Sequence, residues 1–134
     1  MSDTIRVSLA QITSGEHPAE NLELIDTHAR AAAHAGSDLV VFPEATMRCF
    51  GGPIRKFAEP LDGDWANAVR DIASAAGITV VAGMFTPAAE DRVTNTLLVT
   101  GPGIDASYDK IHLFDAFGFA ESDTVAPGSE PLVV

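Results

Sequence analysis

Apolar residues near the start of the chain fall on every second position, in Ile5-Arg6-Val7-Ser8-Leu9-Ala10, the period of a strand over 5–10. The interval then lengthens. Leu22, Ile25, Ala29 and Ala32 recur at helical spacing, and Gly36 is a natural stop, so a helix is predicted around 19–35. Pro18 suits its first turn, where the missing N–H costs nothing. Asp38-Leu39-Val40-Val41-Phe42 follows as a short continuous apolar run. Such a run fits a strand over 38–42 buried on both faces, as in a parallel sheet. Pro43 ends it, because the ring removes a ladder donor.

The scheme then repeats. Asp62 to Asp64 offers helix caps, and Trp65, Val69, Ile72 and Ala76 trace one face of a helix over 65–76 that stops at Gly77. Ile78 to Phe85 reads as the next buried strand. Val93 to Thr100 and Ile104 to Tyr108 flank Gly101-Pro102-Gly103, strong turn chemistry for a hairpin. The resulting order, β-α-β-α-β-β-β, describes a layered α/β domain with strands 5–10, 38–42 and 78–84 adjacent. Pro131-Leu132-Val133-Val134 reads as the beginning of a further strand. Domains usually end at solvated, capped positions, so a stop inside an apolar run suggests a domain cut short.

Size and charge narrow the picture. A chain of 134 residues holds one domain and one core, so 1–134 is read as a single unit. Eight Lys+Arg against nineteen Asp+Glu give a net charge of -11. A field of that sign repels phosphate backbones, making nucleic acid and anionic membrane poor partners. Met1-Ser2-Asp3-Thr4 enters the first strand without a basic and then apolar leader, and no apolar run approaches the ~20 residues that span a bilayer. Cys49, the single cysteine, has no internal disulfide partner, which fits a reducing compartment. The expectation is a soluble, cytoplasmic protein.

Familiar catalytic signatures are absent: no G-x-S-x-G, P-loop, G-x-G-x-x-G, H-E-x-x-H or C-x-x-C occurs. His17, His28, His34 and His112 do not pair at metal-ligand spacing, and His28 and His34 are read as surface residues of the first helix. What remains are charged residues directly after buried strands. Glu44 follows Val40-Val41-Phe42-Pro43 at the carboxyl end of its strand, where ligands gather in open α/β sheets. Lys110 follows Ile104 to Tyr108 and leads into Ile111-His112-Leu113-Phe114. A lone charge in such surroundings costs several kcal/mol unless paired, so converging strand ends would favour a Glu44–Lys110 pair. Taken singly, each residue reads more readily as a surface charge on a loop.

Val41-Phe42-Pro43-Glu44 resembles the first catalytic motif of the nitrilase superfamily of carbon–nitrogen hydrolases, and Tyr108-Asp109-Lys110-Ile111-His112-Leu113-Phe114-Asp115 resembles the second. Glu121-Ser122 followed by Pro127-Gly128 is similar to the segment that comes next in many members, and Ala10-Gln11 and Asn95-Thr96 also sit where members carry such residues. The resemblance runs through the whole chain in the right order. It implies half of a nitrilase-type α-β-β-α sandwich, a mixed sheet with helices on one face and the opposite apolar face left for a second sheet. It also implies an amidase- or nitrilase-like hydrolase acting on a small-molecule amide or nitrile. Glu44 would be the base, Lys110 the stabiliser of developing negative charge and Glu121 a second carboxylate orienting Lys110 or the substrate amine. No cofactor or metal is implied, and homo-oligomers are common in the family.

The family motif that supplies the nucleophilic cysteine on a later strand has no counterpart in this chain, which ends first. Cys49 lies within the same loop-like stretch as Glu44, and neighbours on one loop can reach hydrogen-bond distance. The family, however, brings its thiol in from a separate strand, so Cys49 is read as a packing thiol. Two other classes stay open: a non-catalytic half that docks to a partner chain, and a thiol-handling α/β protein using Cys49, for which a resolving cysteine is missing.

Overall fold

The computed structural model describes residues 3–134, so Met1 and Ser2 of the N-terminal start lie outside the described residues. The chain alternates as expected. Strand β1 spans Val7–Leu9, helix α1 Pro18–His34, β2 Leu39–Val41, α2 Asp64–Ala76, β3 Thr79–Pro87, β4 Val93–Gly101 and β5 Ile104–Asp109. The first strand is shorter than the alternation predicts, although Ala10 N–H still bonds to Val41 C=O at 2.9 Å. Three short strands follow: β6 Asp115–Ala116, β7 Phe119–Ala120 and β8 Val125–Ala126. None was legible in the sequence, because two residues carry no period. Residues 131–134 form no strand and are exposed. The apolar run at the end pairs with no strand among the described residues.

One mixed sheet runs in the order β1-β2-β3-β4-β5, with β8 joining β4 off this path. Strands β1, β2 and β3 are parallel neighbours, while β3–β4 and β4–β5 are antiparallel. The parallel half requires crossovers, and α1 and α2 provide them. Both helices pack on the same face of the sheet. Ile25, Ala29 and Ala32 of α1 and Trp65, Ala66, Val69 and Ala73 of α2 join Val40, Val80, Ala82, Met84 and Leu98 in one core. Alanines at the helix contacts let the two helices approach closely, and Trp65 Nε1 donates to Pro18 C=O at 3.2 Å, fixing the start of α1 on α2.

Helix ends follow the local chemistry with one correction. Gly77 ends α2 in the left-handed region at φ 66°, where a side chain would be strained. The predicted Asp62–Asp64 caps are not used. Gly63 is the N-cap, and the orphan N–H of Trp65 is accepted by Glu59 Oε2 at 2.8 Å from outside the helix. His28 is also less solvated than expected: it is half-buried and lies edge-on to Phe42 at 6.4 Å, while His34 is exposed.

The face opposite the helices is divided. Leu9, Val41, Val81, Val99 and Ala106 form an apolar row across five strands. Its β1 end is bare, with Val7 and Leu9 at 43% and 70% exposure. Toward the other end of β3 that face is covered, where the resemblance had implied a bare one. Phe85 and Val93 are covered by Ala45, Ile54 and Val125 from the loop after β2 and from β8. Among the described residues, no helix is long and apolar enough to cross a membrane.

Candidate active site

The edge of β4 is shared between two strands. Strand β5 pairs with Thr96–Gly101 and β8 with Val93–Thr94, leaving Asn95 at the hand-over. There the chain leaving β5 bends away: Lys110 N–H donates to Asn95 C=O at 2.9 Å, and Lys110 C=O accepts Gly128 N–H at 2.9 Å. Lys110 is thus fixed through both of its backbone groups at the carboxyl end of β5.

Glu44 arrives from the other side. Beyond β2, Phe42 N–H still bonds to Val81 C=O at 2.8 Å, Pro43 then breaks the ladder, and Ala45 turns the chain at φ 58°. A positive φ at alanine costs about 1–3 kcal/mol and persists only where surroundings enforce it. Here they do. Ala45 is 2% exposed, Ser14 Oγ donates to its C=O at 2.9 Å, and Met47 N–H bonds to Gly83 C=O at 2.9 Å. The turn lies directly on β3 at Gly83, where an added Cβ would stand 2.8 Å from Ala45 N and 3.3 Å from Glu44 C. Gly83→Ala must therefore push the Glu44 turn off the sheet. We expect a destabilisation of about 1–3 kcal/mol, the range for overpacking, read by thermal melting. Displacement of Glu44 should show in its NMR shifts, and a silent substitution would contradict this packing.

The two strand ends bring together the residues singled out from the sequence. Lys110 Nζ lies 2.9 Å from Glu44 Oε1 and 3.1 Å from Glu121 Oε2. Glu121, on a short 3-10 turn at Glu121–Asp123, is 5% exposed. Its Oε2 also accepts Phe114 N–H at 2.7 Å, and its own N–H donates to Phe114 C=O at 3.1 Å. The intervening β6–β7 hairpin turns at Phe117 and Gly118, both with positive φ, and Asp115 braces its base. Asp115 accepts Ser122 N–H at 3.0 Å and Ser122 Oγ–H at 2.7 Å, and these bonds hold its carboxyl below the usual carboxylate range.

Burial alone would lower the pKa of Lys110. The hydrogen bonds from its ammonium to Glu44 and Glu121, with their charges, outweigh that effect and hold it above the ordinary lysine value. A charged lysine between two carboxylates faces an open cleft of about 720 Å³. Its walls include Phe50, Ile54, Phe114 and Phe119, so the polar groups act against an apolar lining.

Cys49 does not join this group. It is half-buried, its N–H is bound to Gly15 C=O at 3.0 Å, and it is not among the residues lining the cleft. Two site residues were not assigned a role from sequence. Arg48, 3% exposed, donates to the carbonyls of Cys49 (2.9 Å) and Gly51 (2.5 Å) and lies 4.9 Å from the Phe57 ring, bracing the loop that carries Phe50. Asn95 Nδ2 donates to Glu44 Oε1 at 2.7 Å. The Asn95-Thr96 pair was visible only as part of the resemblance, and its cross-strand partners were not. Among the described residues, no group of three or more His, Cys, Asp or Glu could hold a metal ion.

A mixed sheet with both helices on one face, and a Glu–Lys–Glu cluster where β2 and β5 end, define a nitrilase-type α/β protein. Residues 6–134 match the carbon–nitrogen hydrolase family model, and the chain belongs to that family. It is 63% identical over 134 residues to Hydrolase Rv0480c of Mycobacterium tuberculosis, covering 97% of this chain and 48% of that protein. It is 30% identical over 131 residues to omega-amidase NIT2 of Danio rerio, covering 92% of this chain and 47% of the relative. The chain therefore spans about half the length of the curated relatives it matches.

Solved structures agree. XC1258 of Xanthomonas campestris, a CN-hydrolase superfamily protein with an arsenic adduct in its active site, superposes with a TM-score of 0.85 at 34% identity, covering 100% of this chain and 49% of that one. A mutant of the amidase from Nesterenkonia sp. AN1, showing covalent addition of the acetamide moiety of fluoroacetamide at its active-site cysteine, superposes at 0.71 with 28% identity, covering 95% and 49%.

Proposed function

We propose that this chain is the N-terminal half of an amidase-like carbon–nitrogen hydrolase domain, supplying the base and the charge-stabilising lysine of a Glu–Lys–Cys site. The nucleophilic thiol would come from residues beyond Val134. The observation that carries this reading is the placement of Lys110 Nζ 2.9 Å from Glu44 at the ends of two strands in a chain of this family. The covalent adduct at the cysteine of the Nesterenkonia amidase supports a thiol nucleophile.

A free thiol, with pKa ~8.5, is mostly protonated near neutrality and needs a base beside it. Glu44 takes the thiol proton as sulfur bonds to the amide carbon. The carbonyl oxygen becomes negative opposite Lys110, whose fixed charge stabilises it without reorganisation. Collapse breaks the C–N bond, and the proton on Glu44 passes to the departing amine, giving ammonia and a thioester. Water then attacks the thioester, Glu44 takes its proton, and the carboxylic acid leaves as the thiol is re-protonated. Glu121 keeps Lys110 in place and charged throughout. The substrate class is a small amide or nitrile, and the continuation would also cover the bare β1 end of the Leu9–Ala106 row.

Ammonia release from a panel of small amides tests the reading. The full-length protein should turn over at least one of them, with a thioester detectable by mass spectrometry after acid quench, and the 134-residue chain alone should release none. Robust hydrolysis by the short chain that Cys49→Ala abolishes would overturn the assignment and make Cys49 the nucleophile. A full-length protein inactive on every amide and nitrile would favour the non-catalytic, docking half.

A further inference from the structure

We infer that Asn95 is a positioning residue that sets which oxygen of Glu44 acts as the base and how Glu44 is placed against Lys110. The inference rests on the amidase-like reading for its catalytic consequence. Its structural basis is that one buried residue holds the Glu44 carboxylate by its side chain and the Lys110 backbone by its carbonyl. The Asn95 side chain, on a residue 5% exposed, donates through Nδ2 to Glu44 Oε1 at 2.7 Å. Its backbone carbonyl accepts the N–H of Lys110 at 2.9 Å. The position is set by the sheet, since Asn95 falls at the hand-over on β4 between β8 and β5. Thr96, the next residue, points to the other face and donates through Oγ1 to Asp109 Oδ1 at 2.7 Å, so consecutive residues hold the end of β5 from both sides.

The consequence for Glu44 is asymmetric. Oε1 accepts from both Asn95 and Lys110 Nζ, at 2.7 and 2.9 Å, whereas Oε2 accepts no hydrogen bond from the described residues. An oxygen with two donors is a poor proton acceptor, so Oε2 is left to take the proton. Asparagine suits this task because its amide donates without adding charge to a site that already holds two carboxylates. The charged groups facing Glu44 are Lys110 directly and Glu121 beyond it. An aspartate in place of Asn95 would set a third carboxylate against Oε1, and carboxylates that close share a proton.

Two variants of the full-length protein test this, Asn95→Asp and Asn95→Ala. The Glu44 carboxyl is titrated by carbon-13 NMR, and kcat and KM are followed against pH. We expect the Glu44 titration and the acidic limb of kcat to move up by about 1–3 pH units in Asn95→Asp. Asn95→Ala should move both upward by less, with kcat reduced at least about tenfold and KM within about twofold, as for a lost transition-state orientation. A residue that merely held the fold would change melting temperature and leave both titrations in place. Unshifted Glu44 titration in Asn95→Asp overturns the inference, and this near-isosteric variant decides the matter if Asn95→Ala fails to fold. If the wild type turns over no amide, the amidase reading fails while the NMR titration still decides whether Asn95 governs Glu44.

Discussion

Glu44→Gln in the full-length protein is expected to lower kcat by about 10²–10⁴-fold, the contribution typical of a positioned general base. The substitution keeps the shape of the side chain and half of its acceptor capacity, so the Pro43–Ala45 turn on Gly83 should survive. What disappears is the ability to take a proton from a thiol or a water. Lys110→Ala is the companion variant, with an expected loss of about 10²–10³-fold for removal of a charge stabiliser. It is the less conservative of the two, because it leaves Glu121, a carboxylate with 6% side-chain exposure, without its cation. Steady-state ammonia release with circular dichroism on each variant checks both statements. Full activity in either variant with the fold intact would sink the roles assigned to this pair.

Glu121→Gln should destabilise the protein by about 1–3 kcal/mol, the cost of leaving a buried polar group without its partner. Glu121 serves two donors at once, Lys110 Nζ and the Phe114 N–H. Both bonds fall on Oε2, and Oε1 lies 3.3 Å from the same Nζ, so an amide that keeps its oxygen at the Oε2 place sets its NH₂ against the ammonium. The same change removes one of the two carboxylates that hold the Lys110 pKa up against burial. The sign of the pH effect follows. A raised lysine pKa contributes stability that is fully present below the unfolded-state value and is lost as pH rises through the folded-state value. In wild type that loss runs from the ordinary lysine value up to the raised folded-state value, and in Glu121→Gln the contribution should be smaller and its loss complete at lower pH. Thermal melts at neutral and alkaline pH, with the alkaline limb of kcat, read both effects. Unchanged melting and an unchanged limb would show that Glu121 is a bystander.

Much of the scaffold was legible along the chain because each major element buries a regular stripe. The 19–35 helix shows Leu22, Ile25, Ala29 and Ala32 at the spacing of one face, and α1 at Pro18–His34 buries three of these four completely or nearly so, leaving Leu22 partly buried against the same core. The run from Ile78 to Phe85 lacks alternation because β3 is covered on both faces, Val80, Ala82 and Met84 under the helices and Phe85 under Ala45, Ile54 and Val125. Glu44 and Lys110 stood out for a local reason, a charge placed directly after a buried strand.

Other features could not be read locally. The β6–β7 hairpin and β8 are two residues per strand, too short for any period; β8 exists because β4 offers an edge beyond the end of β5, while β6 and β7 pair only with each other. Glu59 caps α2 from outside the helix, and His28 meets Phe42 across the helix–sheet interface. Both contacts follow from packing angles that no spacing rule contains. The sequence by itself determined the element order, the core stripes, the family motifs and three of the charged residues now found in contact. Only the tertiary structure decided that Glu44 and Lys110, 66 positions apart, meet at 2.9 Å, and that Asn95 holds Glu44 by its side chain and Lys110 by its backbone. The reason is physical: propensity and periodicity act over a few residues, whereas the meeting point is set by the register of β3, β4 and β5 and by where β5 yields the edge of β4 to β8.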